Sequence, residues 1–260
     1  MKIAIITGAS SGMGKEFALK TDALKYDEIW GISLPNENLA ENLKDLKTKV
    51  VALELDLTKE ESFLTLNKKL QDEKPEVELL VNCSGFGKFG RYDEIKTESM
   101  LNMIDLNCRA MVELTQLVLP YMSNNARICN FGSIAGFQPV PYITVYGATK
   151  AFVVSYSRAL NQELKQRKIS VTCVCPFWTK TKFFNRAVNP ENEVIKKYSC
   201  MYDATKVVNQ AFKDTMKRKE ISVYGFNANS QRLLSKILPH KLIMKLWNMQ
   251  QNFKKTYKNK

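Results

Sequence analysis

The first twenty-five residues place an apolar run, a glycine-rich turn and a predicted helix in direct succession. Residues 2–7 are apolar except at their ends and predict a buried strand, and a helix is predicted for residues 15–25. Gly8, Gly12 and Gly14 lie between the two. Glycines permit a tight turn and let backbone N–H groups approach a pyrophosphate at the helix N-terminus, where the dipole favours negative charge. This order predicts a nucleotide-binding turn, and the alternative is a plain connection from strand to helix.

Strands and helices alternate along the rest of the chain. Further strands are predicted for residues 28–33, 50–55, 77–82, 127–131, 170–175 and 221–224, and further helices for residues 38–47, 60–72, 98–119, 144–167 and 205–217. This order is typical of an α/β fold, and we predict a single Rossmann-type, doubly wound parallel sheet with helices on both faces. In such a sheet ligands bind at the carboxyl ends of the strands. Asp56, Asn82, Ser133 and Pro176 are therefore expected at the same edge as the glycine turn.

The composition excludes several classes of protein. The chain has 260 residues, of which 45% are hydrophobic and 25% charged, as in folded soluble proteins and unlike disordered or fibrous ones. The six cysteines are scattered, without a Cys-x-x-Cys pair or a signal peptide, which indicates reduced thiols, and no ligand spacing predicts a metal site. No apolar run approaches the roughly 20 residues that cross a bilayer, so we expect a cytoplasmic protein, at most peripheral to a membrane.

Positive charge is concentrated at the C-terminus. The formal net charge is +13, and residues 221–260 contain no Asp or Glu. Eight positive charges lie in this segment, so the rest of the chain carries only +5, and binding to nucleic acid is not indicated. The eight are Arg232, Lys236, Lys241, Lys245, Lys254, Lys255, Lys258 and Lys260. We divide the chain into a Rossmann-fold unit, residues 1–225, and a basic helical extension of the same domain, residues 226–260.

A tyrosine and a lysine stand four residues apart in the predicted helix 144–167. Tyr146 and Lys150 therefore leave the same face of that helix. Tyrosine titrates near ~10, and a fixed lysine cation is expected to lower the pKa of the phenol toward neutrality, as a general acid or base requires. Helical surfaces often supply such pairs, so the alternative is a solvated pair. Ser133, just past the preceding predicted strand, adds a hydroxyl, whose alternative role is to cap the strand end.

The glycine turn and the tyrosine pair belong to a longer series of motifs. The series is Thr7-Gly8-x-x-x-Gly12-x-Gly14, Asp56-Leu57, Asn82-Cys83-Ser84-Gly85, Asn107, Ser133, Tyr146-x-x-x-Lys150 and Pro176-x-x-x-x-Thr181. In order and spacing it closely resembles the short-chain dehydrogenase/reductase family, over about residues 2–224. The C-terminal extension resembles that of some hydroxysteroid or 3-oxoacyl reductases. The resemblance implies an oxidoreductase that interconverts a secondary alcohol and a ketone with a nicotinamide dinucleotide.

The resemblance also assigns catalytic roles. Tyr146 is implied as the donor of a proton to a substrate carbonyl, or its acceptor from an alcohol, while hydride moves to or from the nicotinamide. Ser133 would hold the same oxygen. Lys150 would hold the nicotinamide ribose and lower the pKa of Tyr146, and Asn107 would support a proton relay behind the lysine. His240, the only histidine, lies in the basic tail and is a poor substitute for Tyr146.

A second set of residues is implied to contact the dinucleotide. Asp56 is placed to accept a hydrogen bond from the adenine amino group and Leu57 to offer a backbone contact, with a cap on the next helix as the alternative for Asp56. Asn82 and Thr181 would approach the riboses and the nicotinamide end. The full set is Gly8, Ser10, Ser11, Gly12, Met13, Gly14, Ser33, Asp56, Leu57, Asn82, Tyr146, Lys150, Thr179 and Thr181.

The end of the second predicted strand bears on the choice of dinucleotide. NAD-dependent Rossmann enzymes usually have an acid there, which binds the ribose hydroxyls and repels a phosphate. In this chain Ser33 takes that position and Leu34 follows it. The lack of an acid and the presence of a hydroxyl favour NADP, whereas the lack of an arginine at residue 34 weakens that preference. We predict NADP, with NAD as the alternative.

Departures from the family pattern concern the substrate side. Cys83 and Ser84 stand where Asn and Ala are usual, a change that still permits close approach. Phe177, followed by Trp178, stands where Gly is usual, and either enlarges the apolar wall or simply packs. The loops 86–91, 134–143 and 177–200 are rich in aromatic and aliphatic residues. We hypothesise a bulky apolar ketone or alcohol as substrate, such as a hydroxysteroid or a 3-oxoacyl group.

The tail contains an apolar helical stripe with polar residues opposite. The stripe comprises Leu242, Ile243, Leu246, Trp247, Met249 and Phe253, and the opposite face Lys241, Lys245 and Asn252. Four interpretations are open: packing on its own domain, a cover over the substrate cleft, a subunit contact, and attachment to an anionic membrane. As partners we expect an apolar small molecule and further copies of the chain in a homo-oligomer, but no nucleic acid.

Two other functions fit parts of the pattern. A nucleotide-sugar epimerase also has Tyr-x-x-x-Lys on a Rossmann sheet, but those relatives tend to be longer and to space the turn as Gly-x-x-Gly-x-x-Gly, unlike this chain. A non-catalytic dinucleotide-sensing module would keep the fold. The presence of Ser133, Tyr146 and Lys150 together argues against it.

Overall fold

The computed structural model describes residues 1–188 and 193–253. Its strands are β1 (Lys2–Thr7), β2 (Glu28–Ser33), β3 (Lys49–Glu54), β4 (Glu76–Asn82), β5 (Met122–Phe131), β6 (Ser170–Val174), β7 (Thr179–Lys180), β8 (Tyr202–Asp203) and β9 (Ile221–Ser222). Seven of them form one parallel sheet in the order β3-β2-β1-β4-β5-β6-β9, and β7 pairs with β8 separately. The predicted parallel sheet is confirmed.

Helices cover both faces of the sheet. They are α1 (Gly12–Thr21), α2 (Leu39–Asn42), α3 (Glu60–Glu73), α4 (Thr97–Ile104), α5 (Ala110–Val118), α6 (Thr144–Glu163), α7 (Phe183–Ala187), α8 (Ala204–Met216), α9 (Phe226–Ile237) and α10 (His240–Gln251). Apolar residues of α3, α5 and α6 pack on one face, and those of α1, α2 and α8 pack on the other. The predicted doubly wound arrangement is therefore confirmed as well.

The central strand β1 explains why its sequence is an unbroken apolar run. Ile3 and Ile5 pack with α3 and α5, whereas Ala4 and Ile6 pack with α1 and α8. All four side chains are fully buried. Because both faces of this strand are buried, its side chains are apolar on both faces. The sequence therefore does not show the alternation of apolar and polar residues that a half-exposed strand has.

Several predicted elements differ in extent: β5 begins at Met122 rather than at residue 127, α1 spans Gly12–Thr21 rather than residues 15–25, and three further differences follow. The helix predicted for residues 38–47 is reduced to α2, because Asn38 has a left-handed backbone (φ 53°) and Leu43 leaves the helical region (φ −116°) to bury its side chain. The strand predicted for residues 221–224 is only β9. The helix predicted for residues 98–119 is interrupted by a π-helical turn, Asp105–Arg109, between α4 and α5.

The C-terminal extension forms two helices, beginning at Phe226. Ala228 of α9 packs near Ile134, and Trp247 and Phe253 pack with Val140 on the loop before α6. The extension therefore packs on its own domain, the first of the four interpretations. Lys254 and the residues after it lie outside the described residues. Within the described ranges, no helix has the length and apolarity that crossing a bilayer requires.

Candidate active site

The glycine turn joins β1 to the N-terminus of α1. Gly8 and Gly12 have φ values of 66° and 54°, a left-handed backbone that favours glycine. A Cβ on Gly14 would overlap the carbonyl oxygen of Gly8, so the turn can close only because this position has no side chain. The first N–H groups of α1 have no partner within the helix and are directed at the space above the turn. Such a helix start suits a phosphate.

Thr7 links the glycine turn to the segment after β4. Its hydroxyl oxygen accepts hydrogen bonds from the N–H groups of Cys83 and Ser84, both at 2.9 Å. Two segments that are far apart in sequence thereby form adjoining walls of one cleft, at the carboxyl end of the sheet.

The side chain of Asn82 is turned away from this cleft. Its buried amide nitrogen donates to Oδ1 of Asn130 at 2.8 Å and to Oγ1 of Thr115 at 3.1 Å, which ties β4 to β5 and to α5. The Asn82 amide thus serves the core, and the predicted contact of this residue with a dinucleotide stays a prediction. Cys83 and Ser84, the next two residues, line the cleft instead.

A cleft of about 260 Å³ opens above the glycine turn. The predicted residues that line it are Gly8, Ser10, Ser11, Gly12, Met13, Gly14, Ser33, Leu57 and Thr181. Asp56 is not among them. Its carboxylate accepts hydrogen bonds from the N–H group and the hydroxyl of Thr58, at 2.9 and 2.7 Å, in the turn that leads into α3. The N-cap of α3 is Lys59, so Asp56 does not cap this helix, and its contact with adenine stays a prediction.

Glu37 is a residue of this cleft that the sequence motifs do not indicate. It lies in the loop after β2, and its carboxylate accepts a hydrogen bond from the hydroxyl of Ser10. Ser33, at the strand end, is buried, and its hydroxyl donates to the carbonyl oxygen of Leu34 at 3.1 Å. An acid is therefore present although the strand end has none. No sequence signal points to it, because the loop has to fold back over the turn.

Ser133 lies two residues beyond β5. Its extended backbone places Oγ where it accepts a hydrogen bond from the N–H of Ala135 at 3.1 Å, capping the short helical turn Ile134–Phe137. The hydroxyl donates to the carbonyl oxygen of Pro176 at 3.5 Å and borders the same cleft as the phenol of Tyr146. The predicted pair of hydroxyl groups is therefore brought together at the strand end.

Tyr146 lies in the first turn of α6 among aromatic side chains. The ring centres of Phe183 and Phe89 are 5.4 and 6.5 Å from its own. Burial raises the pKa of the phenol to about 12, although the hydroxyl of Ser133 acts in the opposite direction. The predicted lowering of this pKa is therefore wrong, because the cost of burying a phenolate outweighs the stabilisation by that hydroxyl.

Lys150 leaves the same face of α6 one turn later, as expected from the spacing. Its Nζ lies 5.6 Å from the centre of the Tyr146 ring and donates to the carbonyl oxygen of Phe131 at 2.7 Å. Burial lowers the pKa of the ammonium group. The side chain thus bridges α6 and the end of β5, where it borders the larger of the two clefts.

Asn107 lies in the π-helical turn between α4 and α5. Its amide nitrogen donates to the carbonyl oxygen of Phe86 at 2.9 Å and to Oγ1 of Thr149 at 3.0 Å, and its amide oxygen accepts from the N–H of Phe86 at 3.1 Å. Thr149 donates in turn to the carbonyl oxygen of Tyr146 at 2.7 Å. Asn107 therefore braces the segment after β4 against the helix that carries Tyr146. π-Helical turns inside helices are frequent at functional sites.

The two predicted threonines lie in the segment after β6. Thr181 borders both clefts and stands opposite the glycine turn, 3.4 Å from the place of a Cβ on Gly12. Thr179 borders the larger cleft only, and its hydroxyl donates to the carbonyl oxygen of Phe177 at 2.9 Å.

The larger cleft, of about 510 Å³, lies in front of Ser133 and Tyr146. Its walls are mainly apolar. They include Phe177 and Trp178, as well as residues without a sequence motif, namely Val140, Ile143, Phe183 and Phe184. Rings from three segments contact one another here: Trp178 lies 6.0 Å from Phe89 and 6.1 Å from Phe184, between ring centres.

The C-terminal helices form the outer wall of the larger cleft. The residues that they contribute are Asn227, Ser230, Gln231, Leu234, Ile243, Leu246, Trp247 and Gln250. α10 is held there by the indole N–H of Trp247, which donates to the carbonyl oxygen of Pro141 at 3.1 Å, and by Gln251, which donates to the carbonyl oxygen of Lys197 at 2.8 Å. These helices therefore also cover the cleft, as the second interpretation of the tail proposed.

The arrangement of turn, serine, tyrosine and lysine has a counterpart in known proteins. Residues 2–192 match the model of the short chain dehydrogenase family. This match spans well over half of the chain. The chain belongs to the short-chain dehydrogenase family. It is therefore an oxidoreductase, as the resemblance implied.

Two relatives illustrate the relationship. A very-long-chain 3-oxoacyl-CoA reductase of Danio rerio is 32% identical over 189 residues, which cover 70% of this chain and 60% of that protein. An uncharacterised oxidoreductase of Staphylococcus epidermidis is 29% identical over 177 residues, which cover 67% of this chain and 76% of that protein. This short-chain dehydrogenase thus spans less than two thirds of the zebrafish relative.

Solved structures extend the likeness over nearly the whole fold. A short-chain dehydrogenase from Sphingobium yanoikuyae in complex with NADPH is 25% identical, with a TM-score of 0.76, and the match covers 94% of this chain and 96% of that one. The bulky-bulky ketone specific alcohol dehydrogenase from Comamonas testosteroni is 22% identical, with a TM-score of 0.70 over 100% of this chain and 96% of that one. The second likeness concerns the fold alone.

The smaller cleft fits the nicotinamide dinucleotide of this family. Its floor is the glycine turn, which can close because Gly14 has no Cβ to meet the carbonyl of Gly8, and the start of α1 offers donors for a pyrophosphate. Lys182 and Arg186 add positive charge on the opposite wall, where the guanidinium group lies 3.8 Å from the ring centre of Phe86. Both clefts share Met13, Cys83, Gly85, Thr181 and Phe183, so they are continuous.

Proposed function

We propose that this short-chain dehydrogenase interconverts a bulky apolar ketone and the corresponding secondary alcohol. One observation carries the proposal: the hydroxyl groups of Ser133 and Tyr146 both border a mainly apolar cleft of about 510 Å³ that is continuous with the cleft above the glycine turn. A ketone in the larger cleft would have its oxygen at two hydroxyl groups and its apolar parts against aromatic walls.

Each polar residue has one task in the proposed reaction. The dinucleotide, when bound, supplies or accepts the hydride. In reduction the phenol of Tyr146 gives its proton to the substrate oxygen, and the hydroxyl of Ser133 donates a hydrogen bond to the same oxygen. With a pKa of about 12 the phenol is protonated at neutral pH, which suits the role of acid. Lys150 would hold the nicotinamide ribose, and Asn107 would support the return of a proton to Tyr146.

The dinucleotide would be held mainly by the glycine turn. Backbone donors at the start of α1 would bind the pyrophosphate. The proposed contacts are Gly8, Ser10, Ser11, Gly12, Met13, Gly14, Ser33, Asp56, Leu57, Asn82, Tyr146, Lys150, Thr179 and Thr181. NADP(H) is the first candidate, supported by the serine at the end of β2 and by the NADPH bound to the Sphingobium relative. NAD(H) is the second, favoured by the carboxylate of Glu37 beside Ser10.

The substrate class rests on the walls of the larger cleft. Phe177 and Trp178 come from the segment after β6, and Leu234 and Trp247 come from the tail helices. Apolar walls stabilise an apolar substrate by about 25 cal/mol per Å² of surface removed from water. A 3-oxoacyl group is the first candidate because the Danio rerio relative bears the name of such a reductase, and a hydroxysteroid is the second.

A panel of ketones tests the proposal. Oxidation of NADPH and of NADH is followed with 3-oxoacyl thioesters, ketosteroids and small polar sugars, with the full chain in each assay. We expect turnover of the first two classes and not of the third. Turnover of sugars alone would overturn the substrate class, and dinucleotide binding without turnover of any ketone would favour the dinucleotide-sensing module. A homo-oligomeric state, a cytoplasmic location and the division into residues 1–225 and 226–260 stay predictions.

A further inference from the structure

The outer surface of α9 and α10 is apolar. Phe226, Ile237 and Leu233 of α9 are 84%, 68% and 59% exposed, and Met249 of α10 is 54% exposed. The spacing of seven and four residues puts the first three on one stripe of α9. The tail face, as we name this surface, consists of Phe226, Leu233, Leu234, Ile237, Leu242, Leu246 and Met249. A set of large apolar side chains on one exposed surface marks a place of contact with another apolar phase.

The charged residues of α9 and α10 themselves have one sign. Lys236, Lys241 and Lys245 are exposed on the same two helices, and the chain from residue 221 onward has no Asp or Glu. Lysine side chains can lay their methylene groups along an apolar surface while the ammonium group reaches an anion. The tail face therefore combines apolar residues with cations, in the manner of helices that lie at a lipid interface.

The tail face borders the larger cleft at two of its residues. Leu234 of α9 and Leu246 of α10 are half exposed, and both border that cleft. Leu238, in the turn between the two helices, borders it as well. A surface that covered the tail face would therefore also meet the opening through which an apolar molecule reaches Tyr146.

We propose that the tail face docks on the surface of an anionic lipid bilayer, with the mouth of the cleft toward the lipid. A second copy of this chain is the less favourable occupant, because a two-fold contact would bring the lysines of both copies together without an acid to offset them. The docking goes beyond the proposed function and does not depend on it. Delivery of substrate from the bilayer, by contrast, rests on the proposed apolar ketone.

Sedimentation with vesicles tests the docking. The full chain is mixed with vesicles of phosphatidylcholine alone or of phosphatidylcholine with phosphatidylglycerol. We expect binding to the anionic vesicles, much weaker binding to the neutral ones, and release when the ionic strength is raised from about 0.1 M to about 1 M, where screening acts within a few ångströms. Equal binding to both vesicles, or to neither, would overturn the proposal.

Two variants separate the contributions of charge and apolar surface. Replacing the exposed lysines together, Lys236→Glu, Lys241→Glu and Lys245→Glu, is expected to lower binding to anionic vesicles on the order of a hundredfold. Leu233→Ser with Ile237→Ser is expected to lower it roughly tenfold or more, since these side chains would leave the lipid. The matched control is Leu64→Ser with Lys68→Glu on α3. Both positions are exposed and lie far from the tail helices in sequence, so this variant should bind anionic vesicles as the unaltered protein does.

Further measurements keep the outcomes distinct. Circular dichroism and dinucleotide binding show that each variant is folded, since none of the altered residues borders a cleft. The oligomeric state of the unaltered protein and of the Leu233→Ser, Ile237→Ser variant is compared by sizing. If the unaltered protein is an oligomer and the variant is not, the tail face is a subunit contact and the docking proposal is overturned. Turnover of the 3-oxoacyl thioesters and ketosteroids without vesicles is measured separately. Its absence contradicts the proposed function and leaves the docking result unchanged.

Discussion

The hydroxyl of Ser10 in the glycine turn donates a hydrogen bond to the carboxylate of Glu37, an acid that reaches the dinucleotide cleft from the loop after β2. The usual acid of NAD-dependent Rossmann enzymes stands at the end of that strand, where this chain has a serine. A negative charge thus enters the cleft above the glycine turn from a residue outside the motif. Its exposure to solvent limits its effect.

Glu37→Gln is expected to shift preference toward NADPH, because it removes a negative charge from the surroundings of a ribose phosphate. At an exposed position we expect a change of about fivefold in the ratio of kcat/KM for NADPH to that for NADH, corresponding to about 1 kcal/mol. The control is Glu41→Gln on α2, an exposed acid outside the cleft. An unchanged ratio in the Glu37 variant would remove this residue from cofactor selection.

Tyr146→Phe is expected to lower kcat by about 10²-fold or more, because the substrate oxygen loses its proton donor. Affinity for the dinucleotide should change little, as measured by fluorescence titration. Tyr156→Phe on the same helix is the matched control, since its hydroxyl borders neither cleft. Comparable turnover in the Tyr146 variant and the unaltered protein would contradict the proposed mechanism.

The raised pKa of Tyr146 predicts how stability depends on pH. The pKa in the folded chain, about 12, lies above the value of about 10 expected after unfolding. The unfolded chain therefore loses the phenol proton first, so the stabilisation is fully present below pH 10 and is lost as the pH rises toward 12. Urea unfolding of the protein and of Tyr146→Phe should show a smaller loss in the variant across that range. A loss of equal size in both would contradict the assignment.

The bracing role of Asn107 predicts a mixed effect on stability and catalysis. Asn107→Leu would leave the N–H and carbonyl groups of Phe86 without their partner, at a cost of about 1–3 kcal/mol for each buried group. Asn107→Asp keeps an acceptor for the Phe86 N–H and should restore part of the stability. We expect kcat to fall more than KM rises in both variants, as measured by steady-state kinetics. Normal kcat in a stably folded Asn107→Asp variant would argue against a part in catalysis.

The close approach at Gly14 predicts a severe effect of a single methyl group. Gly14→Ala would push the new Cβ into the carbonyl oxygen of Gly8, so we expect lower thermal stability and loss of dinucleotide binding. Gly147→Ala in α6 is the control: its Cβ would lie 3.6 Å from the carbonyl oxygen of Ala135, an ordinary contact, and alanine favours a helix by about 1 kcal/mol. Equal behaviour of the two variants would contradict the argument.

Much of the sheet followed from local patterns. The strands at residues 2–7 and 28–33 begin and end where they were predicted, because strands buried on both faces are continuous apolar runs between polar turns. The helix predicted for residues 38–47 was too long, since burial of Leu43 and the left-handed Asn38 end the pattern early. Such competition between local periodicity and packing is not visible in a single stretch of sequence.

The amino-acid sequence by itself determined the order of elements, the glycine turn and the spacing of Tyr146 and Lys150, because these depend on neighbours along the chain. Only the tertiary structure decided three further points. Asn82 turns into the core, Glu37 enters the dinucleotide cleft, and burial holds the pKa of Tyr146 high rather than low. Each depends on groups that are distant in sequence, and desolvation in particular has no local signature, since it is set by everything that packs around the group.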